Sequence, residues 1–155
     1  RTFRRESPDR IDVINVQGGK WNAGKTGEFT INVGVYYPRV AELYDPYRPD
    51  GLPEEYHCTI RNRIGMLMGR RTDKWWKLGR HTRDEKVSAD VTDCVRDHAL
   101  PWLEEMSDLD NVKREVSRFV AAVIACHQGR NDEARRLIVE PAQPADGDRS
   151  VTACQ

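Results

Sequence analysis

The chain has 155 residues, 38% of them hydrophobic and 32% charged, and its 25 lysines and arginines balance 25 aspartates and glutamates. Apolar content at the low edge of the globular range supports one core, and the charged share exceeds the usual quarter. With no net charge there is no global field for nucleic acid or an anionic membrane, and the longest apolar run, residues 119–126, is far too short to span a bilayer. A membrane-spanning helix, a disordered chain, a collagen and a coiled-coil rod are thereby excluded, which leaves a globular domain.

Strand signals fill the first 65 residues. Residues 2–6 form a candidate strand, followed by the turn chemistry of Ser7-Pro8-Asp9. Residues 11–17 are rich in β-branched side chains. Phe29, Ile31, Val33, Val35 and Tyr37 alternate with Thr30, Asn32, Gly34 and Tyr36, the period of two that marks a half-buried strand. Tyr56, Cys58, Ile60, Asn62 and Ile64 alternate in the same way with His57, Thr59, Arg61 and Arg63. The Pro-rich connection at residues 38–53 holds one candidate turn of helix at residues 39–44. The spacing predicts an antiparallel sheet of three to four or more strands.

Beyond Gly65 the period changes. Residues 66–86 are basic and aromatic without periodicity. Ser88 is a candidate N-cap, followed by Val91, Cys94, Val95 and His98 at helical spacing, until Pro101 is expected to kink or break the helix. Trp102, Leu103 and Met106 continue an apolar face. Ser107 or Asp108 caps the next helix, where Val112, Val116, Phe119, Val120, Val123 and Ile124 form the clearest amphipathic stripe in the chain. Gly129 ends that helix, Asn131-Asp132-Glu133 opens another, and Pro141 stops it. Residues 141–155 are rich in Pro, Ala, Asp, Gly and Ser, the composition of a disordered tail. Strands followed by helices predict one α+β domain over residues 1–140.

Four cysteines, Cys58, Cys94, Cys126 and Cys154, stand singly with no C-x-x-C pair, which reads as reduced thiols and a cytoplasmic location. Gly19-Lys20-Trp21-Asn22-Ala23-Gly24-Lys25-Thr26 fits the phosphate-binding pattern G-x-x-x-x-G-K-[ST] letter for letter. In that alternative Gly19, Gly24, Lys25 and Thr26 would hold a nucleotide. A phosphate loop must open a helix, however, and the β-branched residues 29–35 predict a strand, so a hairpin connection is favoured. His57-Cys58 and Cys126-His127 are spaced poorly for a zinc site, because neighbouring side chains on a strand face opposite ways. No cofactor, metal or catalytic set is assigned.

Nine basic residues face three acidic ones between Arg61 and Lys86, with Trp75-Trp76 among them. Basic surfaces with stacking aromatics hold single-stranded nucleic acid, while tryptophan beside arginine also anchors protein interfaces. The acidic counterpart lies at residues 90–110, where seven acids accompany one arginine. The two patches either pair within the fold or let a partner dock by charge. Arg61, Arg63, Trp75 and Trp76 are the candidate contact residues. Gln17 and Asn32, polar residues within strands, complete core hydrogen bonds or line a small pocket.

Several segments in order resemble the bacterial domain-of-unknown-function family 4304. They are Phe3-Arg4-Arg5, Gln17, Phe29-Thr30-Ile31-Asn32-Val33-Gly34-Val35, Arg61 with Arg63 and Gly65, Lys74-Trp75-Trp76, and Leu100-Pro101-Trp102-Leu103. The resemblance covers about residues 1–140 and implies no established activity or catalytic residues. It also implies a helix ahead of the Phe3 strand; with that helix trimmed or disordered, one edge of the sheet is expected to stand uncovered. Small α+β domains of this kind resemble immunity partners of bacterial toxins in size and class. The expectation is a non-enzymatic module with a protein partner and no membrane. A nucleotide-dependent phosphotransferase or hydrolase and a single-stranded nucleic-acid binder stand as alternatives.

Overall fold

The computed structural model describes residues 1–20, 22–24 and 26–139; the expected tail at 141–155, Cys154, Pro141 and Lys25 lie outside the described residues. Five strands form one antiparallel sheet: β1 (Thr2–Glu6), β2 (Ile11–Gly18), β3 (Gly27–Tyr36), β4 (Ile60–Arg63) and β5 (Trp76–Leu78). Their order is β1-β2-β3-β4, with β5 also paired to β3. β2 runs along one edge of β3, while β4 and β5 share the other, opposite residues 32–35 and 27–29 respectively. The α+β architecture is therefore as the periodicity predicts, with one strand, β5, that no alternation announced.

The period of two gives the sheet two unlike faces. Ile31, Val33 and Val35 of β3, with Ile60 and Trp76, point to a core completed by Ala99, Leu103, Met106, Val112 and Ile124 from the helices. On the opposite face the register aligns Thr2, Asn15, Asn32 and Arg63 in one row across four strands, and Arg4, Val13, Gly34 and Arg61 in the next. Partners opposite each other in an antiparallel pair share a face, so the first row of this face is polar from edge to edge, while the second is buried at Val13 and at Gly34 under Cys58.

Residues 56–64 do not form one long strand. A 3-10 turn occupies Glu55–His57, and the strand begins only at Ile60. The reason is at Gly34: a Cβ there would lie 2.7 Å from Cys58 Sγ and 2.8 Å from Cys58 Cβ. The segment folds over the polar face at this glycine instead of pairing beside it. His57 Nδ1 accepts the Glu54 backbone N–H at 3.0 Å, and the Thr2 hydroxyl donates to Glu54 Oε2 at 2.6 Å. Burial pushes the Cys58 thiol up to about 12.

Helix α1 (Pro38–Tyr44) forms where residues 39–44 suggest it, with proline in its first turn, where no N–H is required. After the single turn α2 (Ile64–Leu67), helix α3 runs Asp84–Cys94, so it starts at Arg83 and not at Ser88. Asp84 and Glu85 in its first turn complement the helix dipole. Pro101 does not end the helical run. A π turn at Val95–Ala99, closed by the Leu100 N–H to the Val95 carbonyl, widens the backbone just ahead of α4 (Leu100–Glu105), and Pro101 falls in the first turn of that segment.

The stripe from Val112 to Ile124 belongs to two helices, α5 (Leu109–Glu115) and α6 (Arg118–His127). Ser117 adopts an extended conformation and its hydroxyl accepts the Val120 N–H, which caps a new helix in mid-stripe. Asp108 caps α5 as expected, and Gly129, at φ 75°, ends α6. α7 (Asn131–Val139) then packs Ala134 against Ala122 and Ala125. Among the described residues no helix is long and apolar enough to cross a membrane.

Gly65 has the least room for a side chain among the glycines of the fold. A Cβ on it would sit 2.4 Å from the Lys74 backbone nitrogen and 2.7 Å from the Asp73 Cα, atoms that no rotamer change can move. Gly51, by contrast, faces open space. Gly65→Ala is expected to cost about 2 kcal/mol and to lower the melting temperature by about 4–8 °C, with Gly51→Ala near neutral. A thermal melt of the two variants beside wild type checks this, and equal melting temperatures would refute the close packing.

Candidate functional site

The close approach at Gly65 brings the 73–76 segment onto the sheet, where consecutive side chains diverge. Asp73 turns to the polar face. Its Oδ1 accepts from the Thr30 hydroxyl at 3.1 Å and from the Lys74 backbone N–H at 2.8 Å, and its Oδ2 from Arg63 Nη1 at 2.6 Å. Lys74 turns the other way, with its Nζ 2.7 Å from Asp90 Oδ2 and 3.3 Å from Cys94 Sγ. Asp73 fixes the segment to the central strand and to β4, and Lys74 fixes it to α3.

The same alternation separates the two tryptophans. Trp76 is 5% exposed, stacks on Phe29 at 5.2 Å and 14°, and donates its indole N–H to Asp90 Oδ2 at 2.7 Å. It is a core residue with a satisfied polar atom, not a surface anchor. Trp75 is 36% exposed on the other side of the segment. One half of the Trp75-Trp76 pair is thus withdrawn from the candidate contact set, because a strand cannot present both rings to one side.

Arg61 and Arg63 lie on the polar face, opposite Gly34 and Asn32 respectively. Arg61 pairs with Glu55 at 3.3 Å and Arg63 with Asp73. Asn32 donates its amide to Gln17 Oε1 at 2.7 Å, so the two strand amides satisfy each other. Gln17 is exposed and Asn32 is buried, so the pair gives the buried amide a partner from the rim of the sheet. Five of the six candidate residues, Gln17, Asn32, Arg61, Arg63 and Trp75, therefore gather on or beside one face.

The charge patches do not cancel. Of the nine basic residues between Arg61 and Lys86, Arg61, Arg63 and Lys74 are ion-paired. Arg70, Arg71, Lys77, Arg80, Arg83 and Lys86 are exposed and form no ion pair among the described residues. The acidic side is largely taken up within the fold: Asp90 by Lys74, Asp93 and Asp97 by Arg96, and Asp110 by Lys113 and Arg130. Hydrogen bonds from Lys113 and Arg130 hold the Asp110 carboxyl well below the usual carboxylate range.

Residues that sequence reasoning passed over include Asp12, buried and held by Arg5 at 2.7 Å and Arg10 at 2.9 Å. No pattern marks it, since its partners are seven and two residues away on a turn. An apolar groove of about 130 Å³ beside β1 is lined by Phe3, Ile14, Leu100 and Leu103, well short of the several hundred Å³ of a ligand pocket.

The phosphate-loop match is a hairpin. Gly18 pairs with Phe29, Ala23 bridges Thr26, and β3 begins at Gly27, where a nucleotide site would require a helix N-terminus. His57 lies in the 3-10 turn, and among the described residues no group of three or more histidines, cysteines or carboxylates could hold a metal ion.

A family model described as a domain of unknown function, DUF4304, matches residues 1–105. The chain belongs to the DUF4304 family. The match ends at the last residue of α4, short of the extent expected from the resemblance, and α5, α6 and α7 lie beyond it. It takes in the whole sheet and the Asp73–Arg63 arrangement. No curated protein and no solved structure gives a match.

Two outcomes follow for this DUF4304 chain. Hydrogen bonding from Lys74 lowers the Asp90 pKa in the fold, so its contribution to stability is complete above the ordinary value of 3.8 and is lost as pH falls through the folded value. The melting-temperature gap between wild type and Asp90→Asn should be full at pH 7 and close on acidification; a gap independent of pH would argue against the Lys74 pair. Magnesium with ATP or GTP should leave the melting temperature unchanged. Saturating binding would add about 2.7 kcal/mol at 100 times the dissociation constant, a rise of several degrees.

Proposed function

We propose that this DUF4304 chain is a non-enzymatic protein-binding module of the bacterial cytoplasm, acting through the polar sheet face and the segment beside it. The observation that carries the reading is the partly exposed Trp75 on a segment pinned at Asp73, which pairs with Arg63, with Arg70, Arg71 and Lys77 nearby in the chain and without ion pairs among the described residues. An ordered aromatic ring with arginines around it is the composition of an interface anchor and its rim. The hydrogen bonds of Asp73 fix the backbone segment that carries Trp75 before a partner arrives, which lowers the ordering cost of association. Free thiols at Cys58, Cys94 and Cys126 suit a reducing compartment.

The test is capture of partners by the tagged chain from its native host, read by mass spectrometry, for wild type, Arg61→Glu and Trp75→Ala. A stoichiometric protein that both substitutions release is the expected result. An empty capture, or a protein that neither substitution releases, would overturn the reading.

A further inference from the structure

We infer that the partner presents an acidic surface around an apolar recess, and that it docks on Arg70, Arg71, Met66 and Trp75, residues assembled by the close packing of Gly65 on Asp73 and Lys74. This deepens the binding-module reading and rests on it. The geometry is set by one contact. Gly65 touches the backbone of Asp73 and Lys74, so Met66 and Trp75 each stand one residue from the same close approach. Met66 is 49% exposed and Trp75 is 36% exposed, although both belong to the most apolar residue types. Gly69, at φ 70°, turns the chain between them and delivers Arg70 and Arg71 to solvent.

Among the described residues Arg70 and Arg71 form no ion pair. Asp73 is engaged by Thr30, Arg63 and its own neighbour's N–H, and Asp90 is engaged by Lys74 and Trp76. Lys77, Arg80, Arg83 and Lys86 extend the same unpaired sign along the chain, against Asp84 and Glu85 alone. The guanidinium fork of Arg70 and Arg71 matches carboxylates bidentately. Methionine, tryptophan and arginine are also the residue types enriched in protein interfaces. A single-stranded nucleic acid wants a row of rings for successive bases, and this surface offers one, since Trp76 is spent on Phe29.

Fluorescence anisotropy decides the matter with two labelled probes, a short peptide of glutamates around one central leucine and a thymidine oligonucleotide of equal length. Wild type, Arg70→Glu/Arg71→Glu, Trp75→Ala and a distant control, Arg135→Glu/Arg136→Glu on α7, are compared after melts show each folded. The expected result is peptide binding that weakens about tenfold or more in the first two variants and not in the control. It should also weaken severalfold as salt rises from about 50 to 200 mM. No peptide binding, equal affinity in Arg70→Glu/Arg71→Glu, or tighter binding of the oligonucleotide would overturn the inference. The two readings fail separately: a native partner captured equally by wild type and Arg70→Glu/Arg71→Glu removes this surface and leaves the binding module standing.

Discussion

Strand β3 pairs with three other strands and is buried along its length from Thr30 to Tyr36, which makes it the constraint on which the rest depends. A strand covered on both faces must satisfy two different environments in alternation. Its Ile31, Val33 and Val35 supply the core face, where β-branched side chains fit the pleat. Its Thr30, Asn32 and Gly34 supply the other, and each is matched by a specific neighbour: Asp73, Gln17 and Cys58. A polar group buried without such a partner would cost on the order of 1–3 kcal/mol, so these neighbours are required wherever the strand goes.

That requirement positions the candidate site. β4 covers only residues 32–35 of β3 and β5 only residues 27–29, and the 73–74 segment lies across the interval between them. Asp73 enters there to meet Thr30, and Arg63 from β4 meets Asp73 in turn. The segment cannot shift along the sheet without leaving Thr30 and Arg63 unmatched. Trp75 and the arginines that precede Asp73 are thus carried on a segment fixed to the sheet at Asp73. The helices stand behind this sheet, with Tyr37 of the β3–α1 junction donating its buried hydroxyl to the Met106 carbonyl at 2.6 Å to tie them in.

Much of the fold is legible in the residues because its signals are local. The alternation of residues 29–37, the β-branched run at 11–17 and the helical turn at 39–44, one residue inside the observed helix, each read correctly, as does the α+β order. The failures share a cause. Tyr56 and Cys58 alternate with strand period, yet the bare Gly34 leaves room for Cys58 to lie across the sheet face; Val112 to Ile124 share one stripe, yet Ser117 caps a second helix inside it; Pro101 sits in a helix that a π turn has already widened. In each case a contact or cap absent from the periodicity overrode it. The three-residue strand β5 is too short for any period to show.

The candidate residues divide on the same line. Sequence by itself determined the α+β class, the family resemblance, the strand that follows residues 19–26 in place of a helix, and the concentration of positive charge between Arg61 and Lys86, because composition and alternation are properties of neighbouring residues. Only the tertiary structure decided that Trp76 faces the core while Trp75 faces out, and that Asn32 closes on Gln17. It alone decided that six of the nine cations form no ion pair among the described residues, while most of the acids at residues 90–110 are engaged. The physical reason is that an ion pair or a buried ring depends on which side chains meet across the fold, and Thr30 with Asp73, or Lys74 with Asp90, are separated in sequence by many residues that carry no trace of the meeting.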